Sequence, residues 1–268
     1  MRFQREITAA VLIPAVLAVL VAAPLWAWAL LVAAATTLAL LEFYRLIEAA
    51  GWIVPKSAGV GLFLALVAAA YLASVLMLVV LAGVALFALP TLVMFASPRE
   101  AVLLASSASS VFATLYVALG AGAMVGLRAH GWKPVLFVLA TVWASDSAAY
   151  YVGRKWGRRK LAPVVSPKKT VEGLFGQLVG GAVFGLAISL LLRDGRSAVF
   201  GAAAGLLIAG LAVVGDLLES TFKRSCAVKD SGGILPGHGG LLDRLDSLLY
   251  VSPAVLLLLT VLPESLPR

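Results

Sequence analysis

Residues 62–96 read LFLALVAAAYLASVLMLVVLAGVALFALPTLVMFA, thirty-five positions without a formal charge. One bilayer crossing takes about 20 apolar residues. The stretch therefore divides near Ser74 into two helices with almost no loop between them, and Pro90 is expected to kink the second. A single tilted helix here would reverse the topology of everything N-terminal to it.

Apolar runs like this recur along the whole chain, which has 268 residues, 62% of them hydrophobic and 13% charged. The mean hydropathy is +1.04. A soluble protein of this size would leave far too much apolar surface in water. The fold class is all-α: a polytopic integral membrane protein with about nine transmembrane helices. Around the central pair, spans are expected near Ile7–Ala23, Leu25–Ile47, Ala101–Val125, Val135–Val152, Val171–Leu192, Val199–Lys223 and Leu241–Leu262. The N-terminus has the basic start and apolar core of a signal peptide. A first membrane helix is preferred, because apolar sequence continues past Pro24 and no polar domain follows. The 25 glycines suit helices that pack closely in lipid.

The net charge of +8 does not point to nucleic acid, since most basic residues fall in short loops between spans. With loops assigned alternately to two sides, the N-terminal side collects sixteen Lys and Arg and the other side five. The positive-inside rule places the first side in the cytoplasm. The lone Cys226 excludes an intrachain disulfide and a cysteine-based metal cluster. Lys223, Arg224 and Lys229 could lower its pKa, though an incidental small loop residue is the preferred reading. Glu42, Arg45 and Glu48, at i, i+3 and i+6, read as local salt bridging. Ser106, Ser107, Ser109 and Ser110 read as hydrogen bonds between helices, and His130 as a solvated loop histidine.

The unusual stretch is Gly215–Tyr250, GDLLESTFKRSCAVKDSGGILPGHGGLLDRLDSLLY. It holds five of the chain's thirteen acids (Asp216, Glu219, Asp230, Asp243, Asp246), four bases (Lys223, Arg224, Lys229, Arg244) and His238. Ionisable groups at a membrane are costly to desolvate, so they mark functional candidates. Asp216, Glu219, Ser220 and Lys223, at i, i+3, i+4 and i+7, share one helical face. Asp243 and Asp246 share a face at the start of the last span. Several carboxylates at one depth repel unless a cation lies among them, and hard oxygen ligands select Mg2+, Mn2+ or Ca2+ over zinc. Such a set beside Lys and Arg describes metal-assisted phosphoryl or nucleotidyl transfer. A salt-bridged helix cap would explain any single pair but not the whole gathering.

Two further groups are expected to converge on it. Asp146 lies inside the apolar run of the sixth span, with Tyr150 one turn on. It either serves the site or is satisfied by hydrogen bonds between helices. In Ser166-Pro-Lys-Lys-Thr-Val-Glu-Gly173, Ser166 and Pro167 read as an N-cap and first helical residue. That would put Lys168, Lys169 and Thr170 in the first turn, where cations oppose the helix dipole and so suggest a phosphate ligand.

Together these residues resemble the phosphatidate cytidylyltransferase (CDP-diacylglycerol synthase) family. Its signature, in outline S-x-x-K-R-x4-K-D-x-G-x3-[PG]-x-H-G-G-x-x-D-R-x-D, is met from Ser220 through Lys223, Arg224, Lys229, Asp230, Gly232, Pro236, His238, Gly239, Gly240, Asp243 and Arg244 to Asp246. Asp146 to Gly153 and Ser166 to Gly173 resemble a second conserved region. The likeness is specific over about 143–250 and general over the first half. It implies transfer from CTP to phosphatidate, giving CDP-diacylglycerol and pyrophosphate. It also implies Mg2+ (or Mn2+), K+ as a second cation, and a homodimer in a bacterial inner membrane. It assigns the metal to Asp216, Asp243 and Asp246, with Lys223 as a further catalytic group. Substrate contacts fall to Asp146, Ser166, Lys168, Lys169, Thr170, Glu172, Glu219, Arg224, Lys229, His238 and Arg244. The chain 1–268 is then one membrane domain, with 1–130 giving packing and dimer contacts and 131–268 the catalytic helices and cytoplasmic loops. A transporter would instead place charge near the bilayer midplane among broken helices. The same chemistry on an archaeal ether lipid, or a CTP-using lipid kinase, is the nearer rival.

Overall fold

The computed structural model describes residues 2–96, 100–192, 198–228, 231–232 and 239–261. Among these lie nine helices in the expected order. They are α1 (Arg2–Ala22), α2 (Leu25–Ala49), α3 (Lys56–Tyr71), α4 (Val75–Ala96), α5 (Glu100–Ala129), α6 (Trp132–Trp156), α7 (Val171–Leu192), α8 (Ala198–Ser225) and α9 (Leu242–Val261). A short antiparallel hairpin, β1 (Lys160–Ala162) and β2 (Ser166–Thr170), joins α6 to α7. Seven of the described helices are long and apolar enough to cross a membrane. α3, with 16 residues, is shorter and rises about 24 Å at 1.5 Å per residue.

The split near Ser74 is present, and its chemistry is local. The N–H of Ser74 bonds back to the Ala69 carbonyl and that of Ala73 to Ala70, with Ala73 at φ 53°. These bonds close α3 with a left-handed cap. The Ser74 hydroxyl then accepts from Met77 N–H at 3.3 Å, capping the start of α4. Gly51, at φ 81°, ends α2 in the same way. The loop that follows is shorter than expected, because α3 already begins at Lys56, directly after Pro55.

Two compact units divide the chain. The first comprises Met1–Gly126 and Phe222–Leu245. Its core holds Trp28, Tyr44, Phe63 and Leu40, all fully buried. Two of its buried polar side chains are paired: Tyr44 Oη lies 2.6 Å from Thr114 Oγ1, and Trp28 Nε1 donates to the Met124 carbonyl at 3.2 Å. Ser106 Oγ accepts from Ile53 N–H and Ser110 Oγ donates to the Ile53 carbonyl, so these two serines tie α5 to the loop after α2. Ser109 bonds within its own helix.

The second unit comprises Leu127–Thr221 and Asp246–Arg268. In it α6 packs on α7, and α7 meets α8 through Gly181, Gly185, Gly201 and Gly205. A Cβ at any of the four would fall within 3 Å of a glycine carbonyl oxygen on the facing helix. Close approach of this kind is how helices gain packing energy where lipid supplies no hydrophobic drive.

The Ser166–Thr170 segment departs from expectation. It is a strand, not the first turn of α7: Lys160 pairs with Thr170 and Ala162 with Ser166. The cap of α7 is Thr170, whose Oγ1 accepts from Gly173 N–H at 3.1 Å. Pairing with a segment several residues upstream outweighed the local Ser-Pro signal. Lys168 and Lys169 therefore approach the helix start from a strand.

Candidate functional site

The hairpin is held in place from α7. The Glu172 carboxylate accepts from Arg158 N–H at 2.9 Å and from Arg159 N–H at 3.2 Å, and Val171 N–H donates to the Arg159 carbonyl. Glu172 thus anchors backbone where the sequence suggested a substrate contact. Thr170 is buried, and a Cβ at Gly153, Gly157 or Gly173 would lie about 3 Å or less from its hydroxyl. These glycines let α6, β2 and α7 close around it.

This closure shapes a cleft of about 430 Å³ in the second unit. Its lining includes Asp146, Tyr150, Arg154, Lys168, Lys169, Gln177 and Asp216. Asp146 Oδ1 accepts from Gln177 Nε2 at 2.6 Å. Lys169 Nζ lies 2.6 Å from Asp216 Oδ2, and Ser220 Oγ lies 3.3 Å from Asp216 Oδ1. Ser166, at the far end of β2, is not among the lining residues. Gln177 is the residue that sequence reasoning passed over; a carboxamide within the apolar run of α7 was the available signal. Arg154, one of the loop basic residues that the positive-inside rule already accounts for, carried no separate signal.

Asp216 also belongs to a second grouping. One oxygen each of Asp216, Glu219 and Asp246 lie within 4.8 Å of one another. Glu219 is 3% exposed and Asp246 7%. α8 supplies two of them at i and i+3, and α9 the third. Gly215 permits the approach: a Cβ there would lie 3.1 Å from the Asp246 carbonyl oxygen and closer still to Tyr250 Cβ. Two buried carboxylates and the half-exposed Asp216, which Lys169 meets, form an oxygen-only donor set that suits a hard divalent cation.

In the first unit, Lys223 Nζ lies 2.6 Å from Asp243 Oδ1, both side chains largely buried. Asp243 Oδ2 accepts from Gly240 N–H at 3.0 Å and Ser231 N–H at 3.4 Å. Arg224 and Arg244 are exposed, and Arg224 Nη1 reaches the Val228 carbonyl at 3.4 Å. Lys229 and His238 lie outside the described residues. The Cys226 thiol is buried, and burial raises its pKa, opposite to the lowering its basic neighbours could cause. His130 is exposed, as expected. Glu48 pairs with Lys56 at 2.7 Å, whereas Glu42 is fully buried and bonds to Leu242 N–H and Ser231 rather than along its own helix.

Fold and site define a polytopic α-helical membrane protein that carries a cation-lined cleft beside a buried carboxylate group. The model of the cytidylyltransferase family matches residues 3–262, and the chain belongs to that family. It is 38% identical over 153 residues to the phosphatidate cytidylyltransferase of Staphylococcus epidermidis, covering 57% of this chain and 59% of that protein. The Staphylococcus aureus phosphatidate cytidylyltransferase matches to the same extent. That of Staphylococcus saprophyticus is 40% identical over 144 residues, 54% of this chain and 55% of the relative. The chain thus spans between half and two thirds of the length of these relatives.

Proposed function

We propose that this protein transfers the cytidylyl group of CTP to phosphatidate, giving CDP-diacylglycerol and pyrophosphate. The observation that carries the reading is the cleft in which Arg154, Lys168 and Lys169 face Asp146 and Asp216, with Asp216 shared by the Asp216–Glu219–Asp246 group. A phosphate oxygen of phosphatidate attacks the α-phosphorus of CTP, the new P–O bond forms, and the bond to the β-phosphate oxygen breaks, releasing pyrophosphate. The attacking oxygen is ionised at neutral pH, so no strong general base is needed. What the side chains must do is let two polyanions meet in line.

Lys168, Lys169 and Arg154 neutralise the phosphates. Asp146 and Gln177, locked to each other, orient polar groups of the nucleotide. Asp216, Glu219 and Asp246 hold Mg2+ or Mn2+. Bound there, the ion supplies Lewis-acid stabilisation of charge on the phosphoryl oxygens. Asp243, also expected as a ligand, already meets Lys223 at 2.6 Å and is the weaker candidate. K+ as second cation, a homodimer and an active site facing the cytoplasm complete the reading; the loop charge asymmetry supports that orientation. The lipid headgroup reaches the cleft at the membrane surface, its tails remaining among the helices.

The test is purified protein in detergent with labelled CTP, phosphatidate and Mg2+. Labelled CDP-diacylglycerol is expected. A folded protein that forms none, or forms it equally in the presence of EDTA, rejects the reading.

A further inference from the structure

Glu42 lies on α2, about two hundred positions from the residues it holds. Its Oε2 accepts from Leu242 N–H at 2.8 Å and from Ser231 Oγ at 3.4 Å. Leu242 opens α9, and its N–H is one of the donors that a helix start leaves without an intrahelical partner. Such donors are ordinarily met by a side chain within the same turn. Here the acceptor comes from a helix remote in sequence.

Asp243 takes the complementary set, with Ser231 N–H and Gly240 N–H on Oδ2 and Lys223 on Oδ1. Two carboxylates therefore grip Ser231 and the segment that leads into α9. Glycines make the room: a Cβ on Gly232 would overlap Glu42 Oε1, and one on Gly240 would lie 2.7 Å from Oε2. Glu42 Oε1 has no hydrogen-bond partner among the described residues. A fully buried carboxylate is an expensive way to fill space, so packing alone does not account for it.

We propose that Glu42 is a positioning residue: its carboxylate, delivered by α2, fixes Ser231 and the start of α9 so that the Lys223–Asp243 pair is held in one arrangement during transfer. The inference rests on the cytidylyl-transfer reading and extends it to the N-terminal helices, which the sequence assigned only to packing and dimer contacts.

The test compares Glu42→Gln with Glu42→Asp in the full-length protein in lipid nanodiscs. Gln keeps the length and one acceptor oxygen for Leu242 N–H; Asp keeps the charge but is one methylene short. Turnover within about threefold of wild type is expected for Gln, and a kcat loss of about thirtyfold or more for Asp, with the KM for CTP little changed, as for a misplaced group. Amide exchange in the peptide spanning Leu242 should quicken in the Asp variant while peptides of α7 stay protected. Asp as active as Gln, or exchange equal in all three proteins, overturns the proposal. The exchange arm needs no catalysis, so a wild type that makes no CDP-diacylglycerol rejects the reaction while Glu42 is still decided. If Glu42→Asp does not fold, Ser231→Ala replaces it. That variant removes the weaker of the two bonds and should lower kcat about threefold; unchanged kcat overturns the proposal.

Discussion

Two acidic groupings on the same pair of helices have opposite characters. Asp243 meets Lys223 at 2.6 Å and two backbone N–H groups. Its charge is matched within the fold. Asp216, Glu219 and Asp246 each bring an oxygen within 4.8 Å of the other two, with Lys169 on Asp216. A single carboxylate closed by a lysine and two N–H groups is built as support, while three carboxylates converging on one point form the oxygen cage that a hard divalent cation takes. The number of carboxylates that converge therefore sorts support from ligand better than residue type does, since all four acids look alike in sequence.

The comparison breaks most sharply at Asp246. Asp246→Asn is expected to cut CDP-diacylglycerol formation by about 10³-fold, as loss of a charge-stabilising group does, with folding intact by thermal scan. Residual activity near wild type would move the metal elsewhere. Asp243→Asn should lower stability, because it leaves Lys223 buried without its counter-charge, a loss of about 3 kcal/mol read as a lower unfolding midpoint, and should lower kcat with it, since the pair is needed in one arrangement during transfer. An unchanged midpoint with a raised Mg2+ requirement would return Asp243 to the ligands.

Glu219→Gln should raise the Mg2+ concentration for half-maximal rate about tenfold, the removal of one of three ligands, measured by titration at saturating CTP. The smallest effect is expected at the exposed Glu48–Lys56 pair. Glu48→Ala should shift stability by less than about 1 kcal/mol and leave activity unchanged. A larger loss would mean that exposed and buried ion pairs are not distinct classes in this protein.

Much of the fold was legible. Ser74 sits inside a charge-free run too long for one crossing, and the hydroxyl that marked the break also caps α4. Helix ends lay within a few residues of expectation at α2 and α7, where Pro24 and Leu192 bound the apolar runs. Asp216 and Asp246 could be singled out because charge is rare in this chain. Three features were not legible. Ser166-Pro167 looked like a helix start, but the strand depends on a partner across the hairpin. Glu172, expected as a substrate contact, holds the backbone of Arg158 and Arg159, a role no local pattern signals. Glu42 read as local salt bridging with Arg45 and Glu48 and instead serves Leu242.

The amino-acid order alone determined that the chain is a series of apolar, mostly membrane-length helices and that acidic residues gather near α8 and α9. Hydropathy and helical periodicity act over ten to twenty residues and can be read directly. Only the folded structure decided which carboxylate meets a lysine and two N–H groups, which three converge, and which holds a backbone N–H two hundred residues away. Those outcomes turn on distances of about 3 Å between segments far apart in the chain, and no local pattern encodes them.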